Sequence, residues 1–458
     1  MKELTFELER GGDVPMYEQL YRAIAREITL GNLRSGERLP SRRSLSRHLG
    51  VSQQTALAAL ELLREEGYVR ATARSGYFVE DVATLPEAAA PAPQARPEPE
   101  RVPLFDFSPQ GADVGLFPRK TWQRLVREAL SEGRDWLGKG DAKGEFCLRD
   151  ALCGFLYQYR GVRSHPKDLI IGSGVDQLLG VVASLLPPGS AVACEDPGYP
   201  EAGRAFLRAG HAVVPCRMDA QGILPNEIRR AGASLAYLTP AHQFPTGISM
   251  PAGRRAELLR WAQEGRERWL VEDDYDSEFR YSSRPLPAMQ GMGGGGRTVY
   301  IGTFSRSLAP GLRVAYLVLP SELTGRYEDL GLRSGDAVSR FEQQAVSELL
   351  SRGYYSRHLR RAGGVYLRRC QALCALLSGI PGSRLSGQHA GLHLLLGIRG
   401  RNEPELVQAA SDAGIPVKGL SSYSVKAKMP PALVLGFAGL PDDKLAPAVA
   451  ALRTAWRI

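Results

Sequence analysis

The sequence predicts an α/β protein in two parts: a small helical module ending in a β-hairpin, then a large, mostly parallel sheet with helices on both faces. Three observations carry this. Residues 82–103, VATLPEAAAPAPQARPEPERVP, hold six prolines and six alanines in 22 positions with no aromatic, a composition that buries no core and favours extended backbone. Ahead of this stretch a helical period is broken by a short glycine turn and then resumes. Behind it, short apolar runs alternate with helical patterns, as parallel strands joined by helices do. The expected divisions are residues 1–81, a linker at 82–103, and residues 104–458. A length of 458 residues accommodates them at roughly 150 residues per domain.

In the first module Met16, Leu20, Ala23, Ile24 and Ile28 recur at helical spacing, and Gly31-Asn32 stops the run. Pro40 precedes Ser41, which can cap a helix ending at Leu49, with Leu45 and Leu49 on one face. Gly50-Val51 forms a turn. Ser52 then opens a second helix to about Glu66, whose Ala56, Leu57, Leu60 and Leu63 point inward. Helix, short glycine-containing turn and helix make a helix-turn-helix. Tyr68-Val69 and Tyr77-Phe78-Val79, flanking Arg74-Ser75-Gly76, read as a two-stranded wing.

A second helix of this kind inserts its first exposed side chains into the major groove of DNA. Here those are Ser52, Gln53, Gln54 and Thr55. Glutamine pairs with adenine through both amide groups, and hydroxyls reach bases or phosphates. Arg38, Arg42, Arg43 and Arg47 lie upstream, with no acidic residue between Arg38 and Leu60, and Arg74 sits on the wing. The expected DNA-contacting set is Arg38, Arg42, Arg43, Ser52, Gln53, Gln54, Thr55 and Arg74. Residues 1–80 hold 12 basic and 11 acidic residues, so one face of the module, rather than its sum, supplies the positive field that phosphates require.

The apolar runs of the large module are LIIGSG, AVACEDPGY, AYLTP, WLVEDDY, TVYIGTF and VAYLVLP. Ligands of such sheets bind at the carboxyl ends of strands, and that is where the polar clusters fall. Gly172-Ser173-Gly174 opens a helix at Val175-Asp176-Gln177, where free N–H groups hold a phosphate or simply turn the chain. The run Glu272-Asp273-Asp274-Tyr275-Asp276 offers a carboxylate to a protonated ring nitrogen, or forms a solvated turn. Residues 300–313 bring hydroxyls and two guanidiniums, with Arg313 suited to bidentate phosphate binding.

The N-terminal run from PMYEQLYRAI through GNLRSGERLPSRRSLSRHLGVS to EEGYVRATARSGYFV resembles the GntR-type winged helix-turn-helix. It departs from that pattern at Gln53, where the family often has arginine, and at Tyr77, where threonine is usual. The runs GDAKGEFCLRDALCGFLYQYRGV, EDPGYP, TPAHQFPTG, EDDYDSEFRY and GTFSRSLAPGLRVAYLV resemble fold-type I pyridoxal-phosphate enzymes, and more narrowly the MocR branch of GntR regulators. The resemblance implies an aminotransferase-like domain in which Gly174 and Val175 hold phosphate and Tyr199 stacks on the pyridine ring. It places Asp273 at the ring nitrogen and Tyr275 at the 3′ oxygen, with Thr303, Ser305 and Arg313 completing the phosphate cup. It also implies a head-to-tail homodimer.

Where the family carries its Schiff-base lysine, this chain has Arg306. An imine needs an unprotonated amine, which a desolvated lysine supplies. A guanidinium stays charged and is a poor nucleophile. Residues 168–417 contain no lysine, which leaves Lys143 as a distant candidate from a second subunit. A second departure lies at Val434-Leu435-Gly436-Phe437, where aminotransferases place a carboxylate-binding arginine before Leu-x-Phe. Three explanations of Arg306 stand: a natural replacement that leaves non-covalent binding of pyridoxal 5′-phosphate, a pocket that has moved to another effector, or a deliberate substitution.

Composition narrows the field. At 43% hydrophobic and 23% charged residues the chain is ordinary globular protein, not a disordered or fibrous one. MKELTFELERGG lacks a signal-peptide core, and no run of about 18 apolar residues exists, so a cytoplasmic protein with no membrane partner is expected. Cys147, Cys153, Cys194, Cys216, Cys370 and Cys374 form no CxxC pair and no metal-ligand spacing with histidine; no metal is expected. A net charge of +9 suits an anionic partner. The function expected is a DNA-binding transcription regulator that senses a small molecule without catalysis. The alternative is a pyridoxal-phosphate-dependent aminotransferase with an accessory DNA-binding module.

Overall fold

Pro15 fixes the start of α1 (Met16–Thr29), which buries Leu20, Ile24, Ala25 and Ile28 on one stripe. In α2 (Arg42–Leu49) the Ser41 hydroxyl accepts the Ser44 N–H, and Gly50 ends the helix in the left-handed conformation at φ 65°, a geometry that glycine adopts without steric cost. In α3 (Gln53–Glu65) Ser52 caps in the same way through Thr55 N–H, at 3.0 Å. The buried stripe of α3 is Ala56, Ala59, Leu60 and Leu63. Leu57, expected inward, is half-buried, because the 3.6-residue period gives its place to Ala59. Strands β1 (Val69–Thr72) and β2 (Gly76–Val79) pair antiparallel as the wing.

The computed structural model describes residues 6, 8–9, 14–73, 75–82, 103–131, 136, 138–281 and 286–458. The chain divides into two compact units, residues 1–100 and 101–458. Arg74 and linker positions 83–102 lie outside the described residues.

The large unit is built on an eight-stranded sheet: β3 (Leu169–Gly172), β4 (Ala191–Asp196), β5 (Ala212–Asp219), β6 (Gly222–Ile223), β7 (Leu235–Leu238), β8 (Trp269–Asp274), β9 (Thr298–Thr303) and β10 (Ala315–Val318), in the order β3-β10-β9-β8-β7-β4-β5-β6. The pairs β4–β5, β4–β7, β7–β8 and β8–β9 are parallel, while β10 runs against both neighbours. Every residue of β3, β7, β8, β9 and β10 is buried, which is why these strands are largely apolar, with the acidic residues of β8 confined to its carboxyl end. A second sheet of β11 (Ser383–Ser386), β12 (His393–Ile398), β13 (Lys418–Gly419) and β14 (Leu433–Gly436) has the order β11-β12-β14-β13. Its inner leucines join one core with the helix Tyr354–Ser378. No helix among the described residues is long and apolar enough to cross a membrane.

Candidate ligand cavity and nucleic-acid face

A cavity of about 220 Å³ opens at the carboxyl ends of β7, β8 and β9. Of the nine residues expected at the cofactor, Val175, Tyr199, Asp273, Tyr275, Thr303, Ser305, Arg306 and Arg313 line it. Gly174 stands at its edge as the N-cap of the helix Val175–Ser184, with φ +139°. A side chain there would collide with the Arg313 guanidinium, so glycine is what lets that cation approach the helix start. Val175, Asp176 and Gln177 donate their backbone N–H groups to no acceptor among the described residues. Arg313 itself is exposed, in the left-handed region at φ 49°, and forms no ion pair among the described residues.

Strand alternation sorts the acidic run. Successive side chains of β8 point to opposite faces. Asp274 turns away from the cavity into a buried ion pair with Arg160 at 2.6 Å and accepts the Tyr300 hydroxyl at 2.6 Å. Glu272 accepts the Gln290 N–H on that same far side. Asp273 faces the cavity, accepts the Tyr237 hydroxyl on Oδ2 at 2.5 Å, and leaves Oδ1 buried without a partner. Burial pushes its pKa up to about 7, against the lowering effect of the Tyr237 hydrogen bond.

Arg306 is 7% exposed. Its Nη2 donates to the Pro109 carbonyl and its Nη1 to that of Gly111 at 3.4 Å. Its guanidinium carbon lies 5.8 Å from the centre of the Tyr275 ring. The Tyr275 hydroxyl donates to the His242 carbonyl at 2.8 Å. No lysine lines the cavity. Lys143, the distant candidate, is held elsewhere in its own chain: its ammonium sits 2.5 Å from Glu328 and donates to the Lys167 carbonyl at 2.7 Å.

Several lining residues escaped the sequence reading. Pro109 and Gln110 come from the start of the large unit, Tyr237 and Thr239 from the end of β7, and Phe244 from the loop after it. None stands in a run with the expected site residues. Phe244, Leu395, Leu420, Tyr423 and Val434 form an apolar cluster that packs against Tyr199 and Tyr275. Val434, where an arginine would clamp a carboxylate, is therefore part of a greasy wall. Behind Tyr275, His242 Nδ1 lies 3.1 Å from Asp276, with the His393 ring 4.8 Å from the His242 ring and all three residues buried. Burial lowers the His393 pKa to about 3. Residues 34 and 117 positions apart along the chain carry no spacing signal that would have linked them.

On the small unit, Arg38, Arg42, Arg43, Arg47, Gln53 and Gln54 are all exposed. The two glutamine side chains have no hydrogen-bond partner among the described residues. Ser52 and Thr55, also expected at the DNA, are hydrogen-bonded to each other at the helix start. Ser52 Oγ accepts the Thr55 N–H and shares a 2.8 Å hydrogen bond with the Thr55 hydroxyl, because the same serine that starts the helix must satisfy its free N–H groups. The Tyr77 hydroxyl is likewise spent: it donates to Glu61 at 2.6 Å and ties the wing to α3.

The chain matches two family models: bacterial regulatory proteins of the gntR family over residues 16–79, and aminotransferase class I and II over residues 113–452. It is 34% identical to an uncharacterized HTH-type transcriptional regulator, YhdI, of Bacillus subtilis, over 99% of this chain and 98% of that protein. It is 32% identical to the probable rhizopine catabolism regulatory protein MocR of Rhizobium meliloti, over 98% and 95% of the two chains. Among solved structures, LysN, an α-aminoadipate aminotransferase from Thermus thermophilus complexed with N-(5′-phosphopyridoxyl)-L-leucine, superposes with a TM-score of 0.66 at 26% identity, over 77% of this chain and 91% of that one.

Proposed function

Because the chain belongs to the HTH-type transcriptional regulators that join a gntR-family module to a class I and II aminotransferase domain, we propose that it reads an operator with α3 and governs that contact through a phosphorylated pyridine ligand held without a covalent bond. The observation that carries this is the cavity itself: its lining, with Asp273, Tyr199, Tyr275, Thr303, Ser305 and Arg313, suits a phosphate and a ring, and it contains Arg306 and no lysine.

The residues fit the non-covalent part of pyridoxal 5′-phosphate. The unpartnered Oδ1 of Asp273 is a buried acceptor in need of a donor, which a protonated ring nitrogen supplies. Arg313 and the free N–H groups at the start of the helix Val175–Ser184 suit a phosphate dianion. Thr303 and Ser305 add hydroxyls, Tyr199 offers a ring face, and Tyr275 carries a phenol. When bound to a lysine such a group supplies an electron sink for amino-acid chemistry. Here Arg306 excludes that attachment, because its guanidinium stays protonated. Its side chain instead lines the cavity and donates to the Pro109 and Gly111 carbonyls. Val434, in the apolar cluster with Phe244 and Tyr423, cannot itself bind an amino acid's carboxylate, which supports sensing over transamination.

The regulated unit is read as a homodimer. A ligand alters DNA binding only by favouring one arrangement of the recognition modules over another. The test is titration of the purified protein with pyridoxal 5′-phosphate, followed by calorimetry and by intact mass after borohydride reduction. Saturable binding with no added mass and a shift in operator affinity is the expected result. A covalent adduct on the native chain, or turnover of amino donors, overturns the reading in favour of the enzyme.

A further inference from the structure

The positive charge of this chain is concentrated in one place. Residues 349–458 carry 15 of the 58 lysines and arginines but only 5 of the 49 acidic residues. The remaining 348 residues are therefore close to neutral, and the net +9 belongs to this stretch. Between Leu349 and Asn402 there is no acidic residue at all.

The helix Tyr354–Ser378 displays this charge on one side. Its inner face buries Tyr355, Leu359, Ala362, Tyr366, Cys370, Leu373 and Leu377. Its outer face presents Arg357, Arg360, Arg361 and Arg368, all exposed, at the spacings that share a helix face. None of the four forms an ion pair among the described residues. Other exposed arginines of the large unit do have acidic partners: Arg326 pairs with Glu267 and Glu322, and Arg352 with Glu128 and Glu348. Arg357 is propped over the Tyr354 ring at 4.6 Å, and Arg368 donates to the Gly364 carbonyl at 3.1 Å. The adjacent helix Leu445–Trp456 adds exposed Arg453 and no acid.

We propose that this helix face is a second nucleic-acid contact, a phosphate-binding stripe on the large unit that grips duplex DNA flanking the operator. It rests on the reading that the chain binds DNA. From Arg357 to Arg368 the stripe runs about 16 Å at 1.5 Å per residue, a length over which a duplex presents roughly nine phosphates. Guanidinium forks match phosphate oxygens in geometry. A membrane surface fits less well, because an amphipathic helix that inserts into lipid does so by its apolar face, and the apolar face of this one is buried in the core.

The test compares wild type with R357Q/R360Q/R361Q/R368Q on two duplexes carrying one site selected by the full-length protein from random sequence. One duplex ends at the site; the other extends it by roughly 20 bp, two helical turns, on each side. On the long duplex the dependence of log affinity on log salt becomes shallower by about three to four units if each arginine neutralises one phosphate. On the short duplex the two proteins bind alike, and their melting curves coincide. R360Q/R361Q shows about half the loss of slope. Equal slopes for wild type and the fourfold variant on the long duplex overturn the proposal, as does a loss confined to binding of phosphatidylglycerol vesicles. Wild type that binds neither duplex overturns the operator reading itself, whereas wild type that binds the short duplex with unchanged long-duplex slopes overturns this inference alone.

Discussion

The Tyr237 hydroxyl donates to Oδ2 of Asp273 at 2.5 Å while Oδ1 of the same carboxylate stays buried and unmatched. One oxygen is satisfied by the protein and the other is left for the ligand. Asp273→Asn replaces that acceptor by an amide that cannot balance a cationic ring nitrogen. A hydrogen bond between charged partners contributes about 1.5–3 kcal/mol, so affinity for pyridoxal 5′-phosphate falls about ten- to a hundred-fold. Calorimetry on the folded variant checks this; undiminished affinity would remove Asp273 from the site.

The same residue bears on stability. Burial raises the pKa of Asp273 to about 7, of Glu195 to about 7 and of Glu278 to about 8. A raised carboxyl means that the folded chain holds protons which the unfolded chain has released, so this contribution is fully present below about pH 4 and is lost as pH rises through 7 to 8. His393 acts oppositely: its pKa is lowered to about 3, so its contribution is complete above its unfolded value of about 6.5. Between pH 6.5 and 8 the raised carboxyls lose their contribution, and the ligand-free protein melts at lower temperature as pH increases. Asp273→Asn flattens that slope. A slope identical to wild type would show that Asp273 does not titrate there.

Arg306→Lys returns an amine to the cavity. With the phosphate and ring groups unchanged, pyridoxal 5′-phosphate gives a new visible absorbance band and a borohydride-stable mass increase at residue 306. Arg306→Met separates the other role of this side chain. It frees the Pro109 and Gly111 carbonyls and lowers stability by about 1.5–3 kcal/mol, the contribution of hydrogen bonds from a charged donor. A silent spectrum in the lysine variant would mean that the cavity does not present an aldehyde to position 306.

Most of the architecture was legible because chemistry clusters at strand ends. The runs at Gly172–Val175, Asp273–Tyr275 and Thr303–Arg313 each close an apolar strand, and the sheet brings them together. Strand β5 was not legible, since it is half-exposed and lacks the unbroken apolar signal of its neighbours. Nor was the second sheet, whose strands β11, β13 and β14 have four residues or fewer and whose last two follow the helix Glu403–Asp412. Tyr237 and Phe244 lie in the runs AYLTP and TPAHQFPTG, to which the sequence assigns no site residue, and Pro109 lies outside every run read for the site. The pairing of His242 with Asp276 and His393 depends on tertiary packing alone. The sequence does not tell whether the hydroxyls of Ser52 and Thr55 serve the helix or a base, since their place on α3 is also where the helix start needs them.

Arg42→Ala or Arg43→Ala removes one exposed guanidinium, without an ion pair among the described residues, from the start of α2. If it meets a phosphate, binding weakens on every sequence alike and the salt slope falls by about one unit. Competition between selected and random duplexes measures this. A change in sequence preference instead would make that arginine a base reader.

Ser52 and Gln54 separate stability from recognition on one helix turn. Ser52 Oγ is committed to Thr55, at 3.0 Å to its N–H and 2.8 Å to its hydroxyl. Ser52→Ala therefore costs about 1 kcal/mol of stability, the usual loss at an N-cap. Its effect on affinity is spread evenly over all operators, because the helix start frays rather than a base contact disappearing. Gln54 is exposed and uncommitted, so Gln54→Ala leaves the melting temperature unchanged. It relaxes discrimination at particular base pairs by about 1–3 kcal/mol, the contribution of a bidentate amide contact to adenine. Selection from random duplexes with each variant distinguishes the two. If Ser52→Ala altered the selected sequence and Gln54→Ala did not, the recognition surface would lie on the hydroxyls and not on the glutamines.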